Sequence, residues 1–136
     1  MVSAFSAREI RDGCSTATPA QSPLFSADLV KQGTHITAIG ADTPEKNELD
    51  PKILKNADIL VADSLSQCVS RGEIYMALEA GTIAKNKIIE LGQVITNENL
   101  RRKSDEQLSV ADLTGVAVQD IQISKTVYQS LISKSG

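Results

Sequence analysis

Tryptophan is absent from this chain, and phenylalanine and tyrosine occur only twice each in 136 residues. Any core must therefore be aliphatic, and there is no aromatic platform on which nucleic-acid bases could stack. Basic charge is not in excess: the formal net charge is −3. The densest basic run, Arg101-Arg102-Lys103, is followed at once by Asp105 and Glu106 and reads as a solvated loop. Nucleic acid is excluded as the main partner. The two cysteines, Cys14 and Cys68, lie far apart, and neither has a second cysteine or the single histidine, His35, close in sequence. No metal site is expected, and free thiols in a reducing cytoplasm are. No apolar run approaches the ~18 residues of a membrane span, and Met1-Val2-Ser3-Ala4-Phe5 is not a signal segment, so neither a membrane nor export is expected. Finally, no two of the eight glycines stand two residues apart. A G-x-G-x-x-G loop, whose backbone cradles a pyrophosphate, is excluded.

What remains is ordinary for a globular protein: 41% apolar and 23% charged residues, enough for one domain over 1–136. Residues 4–11 suggest a short helix. Cys14-Ser15-Thr16-Ala17 is a poor strand by propensity, and Pro19 and Pro23 make the next segment turn-like. Residues 35–40 alternate as a strand, and Thr43-Pro44 starts a turn. Asp50-Pro51 is a helix start, with Asp50 as cap, Pro51 at the first helical position and a Leu49–Leu54 staple. That helix runs to about Asn56 and feeds a second buried strand, Ile59-Leu60-Val61-Ala62, in a compact parallel crossover. Residues 66–72, 73–80 and 87–94 read as helical pieces, and 108–112 as a third strand. A final helix over 116–134 carries Val118, Ile121, Val127, Tyr128, Leu131 and Ile132 at 3-and-4 spacing. That stripe reads either as core packing or as a face for a partner domain.

The most informative stretch is Gly33-Thr34-His35-Ile36-Thr37-Ala38-Ile39-Gly40-Ala41-Asp42-Thr43-Pro44-Glu45-Lys46. An alternating apolar run delivers the carboxylate of Asp42 to the carboxyl end of a strand, where open α/β sheets bind ligands. The same residue also suits a turn-stabilising acid before Pro44. Gly40 permits close backbone approach, Thr16 and Thr18 carry hydroxyls, and His35 lies at the opposite end of the strand.

Four segments resemble the ornithine cyclodeaminase / mu-crystallin family: Thr16-Ala17-Thr18-Pro19; residues 30–50; Ala77-Leu78-Glu79-Ala80-Gly81 with Glu90-Leu91-Gly92-Gln93-Val94; and Ser104-Asp105-Glu106 with 112–120. They cover nearly the whole chain in order. The resemblance implies an α/β fold, a partial Rossmann-like parallel sheet flanked by helices and lacking its N-terminal half, and the use of NAD or NADP to oxidise an amino acid's C–N bond to an imine. It implies Asp42 as the inherited catalytic position and Thr18, Ile39, Gly40, Ala41 and Lys46 as cofactor contacts. Leu113 stands where the family carries a serine that touches the cofactor. Ala111 and Arg101 replace an aromatic and a glycine, and Asp12-Gly13-Cys14-Ser15 replaces a Val/Ile-rich strand.

The family's substrate and dimerisation domain and its glycine loop have no counterpart in these residues. The expectations are weak or absent dinucleotide binding and no catalysis by this chain alone, with self-association as a two-fold dimer. Two other readings stand beside this one: a module that binds a small ligand or a protein at the cleft beside Asp42, and one chain of a split enzyme.

Overall fold

A computed structural model of the chain describes residues 9–115 and 117–133. Five parallel strands make the main sheet: β1 (Gly13–Thr16), β3 (His35–Ala38), β5 (Ile59–Ala62), β6 (Ile88–Glu90) and β7 (Ser109–Asp112), in the order β1-β3-β7-β5-β6. β7 pairs with both β3 and β5, with Val110 opposite Ile36 and Leu60. A second, two-stranded parallel sheet joins β2 (Gln21–Phe25) to β4 (Asn47–Leu49).

Side-chain alternation along the strands sorts the sheet into two unlike faces. Ile36, Ala38, Leu60, Ala62 and Val110 point into the main core with Leu49 and Phe25. Helix α1 (Pro51–Asn56) adds Ile53 and Leu54 to that core, and α3 (Glu73–Glu79) adds Ile74 and Ala77. The odd-numbered residues Thr37, Val61, Ser109 and Ala111 face the other way, toward α4 (Leu91–Thr96). Helix α2 (Leu65–Cys68) is a single turn after β5, and α5 (Ala117–Ser133) ends the described chain.

Local chemistry accounts for the elements that the sequence announces. Asp50 accepts a hydrogen bond from the Lys52 N–H at 2.9 Å with Pro51 in the first turn. Leu49 and Leu54 are both buried in one cluster, as a staple requires. Residues 43–46 form a turn closed by Lys46 N–H to the Thr43 carbonyl.

Elsewhere the structure departs from the local signals. Gly13–Thr16 is a strand despite its small polar residues, because β3 supplies a complete parallel partner from Gly13–His35 to Thr16–Ala38. Gln21–Phe25 is also a strand, and Pro23 is tolerated in a two-stranded pair where one side needs no N–H. Residues 87–94 are not one helix. Ile88 and Ile89 extend beside Leu60 and Val61, and α4 starts only at Leu91. Residues 4–8 of the expected first helix lie outside the described residues, and Ile10 forms a bridge with Val30. The final helix is present, but every residue from 120 to 133 is exposed, so its apolar stripe does not pack into this core; the Val118 side chain lies outside the described residues.

Candidate functional site

The loops that leave the carboxyl ends of β1 and β3 are fastened to each other by one buried side chain. Glu48, on β4, is fully buried. Its carboxylate accepts from the Thr16 hydroxyl at 2.7 Å, the Thr18 N–H at 2.5 Å and the Gly40 N–H at 2.9 Å. Among the described residues no cation pairs with it; three donors take the place of water around a buried acid. A Cβ built on Gly40 would meet the Thr18 carbonyl oxygen at 2.3 Å and the Glu48 carboxyl at 2.5 Å, so the two loops close to a distance that only glycine allows.

The candidate residues from the sequence divide across this rim. Thr18 and Gly40 are brought together through Glu48. Ala41 is buried beneath the rim and Ile39 is 47% exposed on it. Asp42 projects into solvent and pairs with Lys46 at 2.6 Å. The hydrogen bond from that ammonium holds the Asp42 carboxyl below its ordinary range. Asp63, at the end of β5, gathers the hydroxyl of Thr114 and the N–H groups of Ser64 and Gly115.

Two further acids were not singled out from the sequence. Glu73 is buried and accepts the N–H groups of Glu48 and Leu49 at 2.7 and 2.9 Å, so it fixes the strand that carries Glu48. Asp112, at the end of β7, accepts the Ile74 N–H at 2.8 Å and caps α3 from a distant strand. Burial pushes Glu73 up to about 7 and Asp112 up to about 8, and neighbouring carboxylates add to both. In the unfolded chain both acids ionise near 4. Above that pH the folded state holds protons that the unfolded state has released, so stability falls as pH rises until both groups have ionised above about 8. The melting temperature is therefore expected to be lower at pH 9 than at pH 6, with the slope reduced in Asp112→Asn. A thermal-unfolding series against pH measures it, and a stability that rises over this window would refute the assignment.

The other candidates are structural. His35 bonds the Ser109 hydroxyl at 2.8 Å at the amino end of β3, and burial and Arg102 lower its pKa. Burial raises the Cys68 thiol to about 12, which leaves it unreactive near neutrality, and Cys14 is half-buried and also raised. No group of metal-binding side chains occurs among the described residues. None of the described helices is long and apolar enough to cross a membrane.

A dinucleotide's phosphates ordinarily sit on a helix N-terminus. Here the chain's own acids reach the N-terminal ends of α1 to α4. Asp50 caps α1, Glu90 accepts the Leu65 N–H of α2, Asp112 caps α3, and Glu90 stands at the start of α4 in a capping box with Gln93. An incoming phosphate would meet carboxylates at these positions. Among the described residues these four helix ends therefore do not fit a pyrophosphate.

An open parallel sheet with its polar loops gathered at the carboxyl ends of the strands defines a nucleotide-fold α/β domain. The model of the Ornithine cyclodeaminase/mu-crystallin family matches residues 3–135, and the chain belongs to that family. It is 44% identical over 121 residues to the alanine dehydrogenase of Archaeoglobus fulgidus, covering 88% of this chain and 37% of the relative. Among solved structures it resembles an archaeal alanine dehydrogenase dimer with bound NAD (TM-score 0.85, 42% identity, 92% of this chain and 39% of the other). It also resembles the iminosuccinate reductase of Paracoccus denitrificans in complex with NAD+ (TM-score 0.82, 36% identity, 90% and 38%). The chain spans little more than a third of the length of these relatives.

Proposed function

We propose that these residues form the acid-bearing wall of an NAD-type site for oxidising or reducing an amino acid's C–N bond, and that this chain does not catalyse that reaction alone. The carrying observation is the rim itself: Glu48 holds the Thr16–Thr18 loop against Gly40, and Asp42 stands exposed beside them, paired with Lys46. Thr18, Ile39, Gly40, Ala41 and Lys46 flank the nicotinamide-bearing part of NAD or NADP, and Asp42 faces the substrate. When bound, the dinucleotide supplies the hydride chemistry. Because Lys46 keeps Asp42 ionised, its carboxylate holds little affinity for a proton near neutrality. Its role is to hold an ammonium or iminium nitrogen by charge, more than to store a proton.

With α1 to α4 capped by acids and no paired glycines, NAD(H) affinity is expected to be millimolar or weaker, about −4 kcal/mol at best. Isothermal titration checks this. Micromolar binding, or NADH formation from alanine or ornithine by the purified chain, would overturn the reading.

The chain self-associates in this proposal, because β1 forms one edge of the sheet and α5 is exposed. The edge position of β1 also favours a second reading, in which a separate chain adds the phosphate-binding strand and loop there. Recovery of NAD binding on mixing with such a chain would distinguish it.

A further inference from the structure

The turn between α2 and α3 lies at the carboxyl ends of the strands. A Cβ on its Gly72 would meet the carboxyl of Asp112, the last residue of β7, at 2.7 Å, and Glu73 after it bonds the Glu48 and Leu49 N–H groups. Arg71 belongs to this turn, and its guanidinium is unlike those of the other described arginines. Arg11 is paired with Glu9 and Arg101 with Glu98, and Arg102 is bonded to the backbone carbonyls of Gly33, Ser104 and Asp105. Among the described residues no carboxylate pairs with Arg71. Its Nε–H is enclosed and has no acceptor. Enclosed donors are almost always partnered, and a charged one more than most, so an acceptor is wanting at this position.

The side chain is nevertheless held in place. Its Nη2 donates to Gln67 Oε1 at 2.5 Å, and Gln67 Oε1 also meets the Thr114 hydroxyl at 3.2 Å. That hydroxyl lies 3.1 Å from Asp63 at the end of β5. Arg71 as a whole is half-buried, so part of it reaches solvent. Its charge adds to the pull of Lys46 that lowers the Asp42 carboxyl. The two are not an ion pair, because Asp42 is taken by Lys46 at 2.6 Å. A fixed guanidinium and a carboxylate therefore stand on one rim, too far apart to join and near enough to feel each other's charge. A zwitterion suits this arrangement, with its ammonium toward Asp42 and its carboxylate on the planar fork of the guanidinium. A doubly charged phosphate suits it less, since Asp42, Asp63 and Asp112 all lie around this rim and repel a second negative charge.

We propose that Arg71 receives a carboxylate of the amino acid whose nitrogen Asp42 holds, and so selects acids over simple amines. The inference rests on the amino-acid reading above and adds to it a residue that determines specificity.

The full chain, isotope-labelled, is titrated at fixed ionic strength with L-alanine, L-aspartate, succinate, ethylamine and inorganic phosphate while the Arg71 Nε–H resonance is followed. Alanine and aspartate are expected to shift it saturably with midpoints in the millimolar range, and ethylamine is not. Arg71→Gln, read through the Gly40 and Thr18 amides, is expected to weaken alanine and succinate about tenfold. Arg71→Lys, which keeps the charge without the fork, should recover part of that loss. Asp42→Asn should weaken alanine but not succinate, which carries no ammonium. A midpoint lower for aspartate than for alanine assigns the side-chain carboxylate, and equal midpoints assign the one beside the reacting carbon; either supports the proposal. Saturation by phosphate alone, or ethylamine binding as well as alanine, would overturn it. Unchanged alanine binding in Arg71→Gln with loss in Asp42→Asn would also overturn it, while leaving the amino-acid reading in place. No response to any amino acid would remove both.

Discussion

Glu48→Ala is expected to destabilise the fold by about 3–5 kcal/mol, a large part of the 5–15 kcal/mol available to a domain of this size. The substitution removes the acceptor of three donors, the Thr16 hydroxyl and the Thr18 and Gly40 N–H groups, at a fully buried position. Each hydrogen bond is worth about 0.5–1.5 kcal/mol net, and the buried Thr16 hydroxyl left without its acceptor costs about 1–3 kcal/mol more. The side-chain volume is lost as well, which adds a cavity term. Urea unfolding measures the total. Amide exchange reads the mechanism, because protection at Thr18 and Gly40 should fall further than at Leu60 in the centre of the sheet. A loss below about 1 kcal/mol would mean that the two loops do not depend on this carboxylate.

Gly40→Ala should cost about 3 kcal/mol through the opposite fault, too much matter where there is no room. The added methyl would lie 2.3 Å from the backbone oxygen of Thr18 and 2.5 Å from the Glu48 carboxyl. Neither neighbour yields easily: one is main chain, and the other is held by three hydrogen bonds. The loops must part, and the positions proposed to flank a nucleotide part with them. Gly92 provides the control. It lies in α4 with nothing within 4 Å of a Cβ, so Gly92→Ala is expected to be neutral or to stabilise by about 0.5–1 kcal/mol. Equal melting temperatures for the two variants would refute the close-approach argument.

Where the sequence and the fold agree, the reason is local. The Asp50-Pro51 start of α1, the alternation of β3, the apolar run of β5 and the short strand at β7 each carry their signal within a few residues, and each is present. Where they disagree, the deciding partner lies far away in sequence. Gly13–Thr16 is extended because β3 pairs with it, and Ile88–Glu90 because β5 does. The same division governs the site. The place of Asp42 after a strand could be read from the Gly-Ala-Asp-Thr-Pro sequence. The role of Glu48 could not, since its donors are 8 to 32 residues away, and Asp112 caps a helix 38 residues earlier. A buried acid whose partners are all backbone or hydroxyl groups leaves no charge pattern to detect. For α5 the periodicity was legible, but its surroundings were not.

The strand order has a consequence for how the molecule is made. β7 is the last described strand to leave the ribosome, yet it sits in the middle of the sheet between β3 and β5. Until residue 112 has emerged, the main sheet exists only as two separate ribbons, β1 with β3 and β5 with β6, each with an open flank. Sheet closure therefore waits for β7, and the loop closures it requires, from residue 35 to 109 and from 59 to 109, make folding slow relative to a protein whose contacts are local.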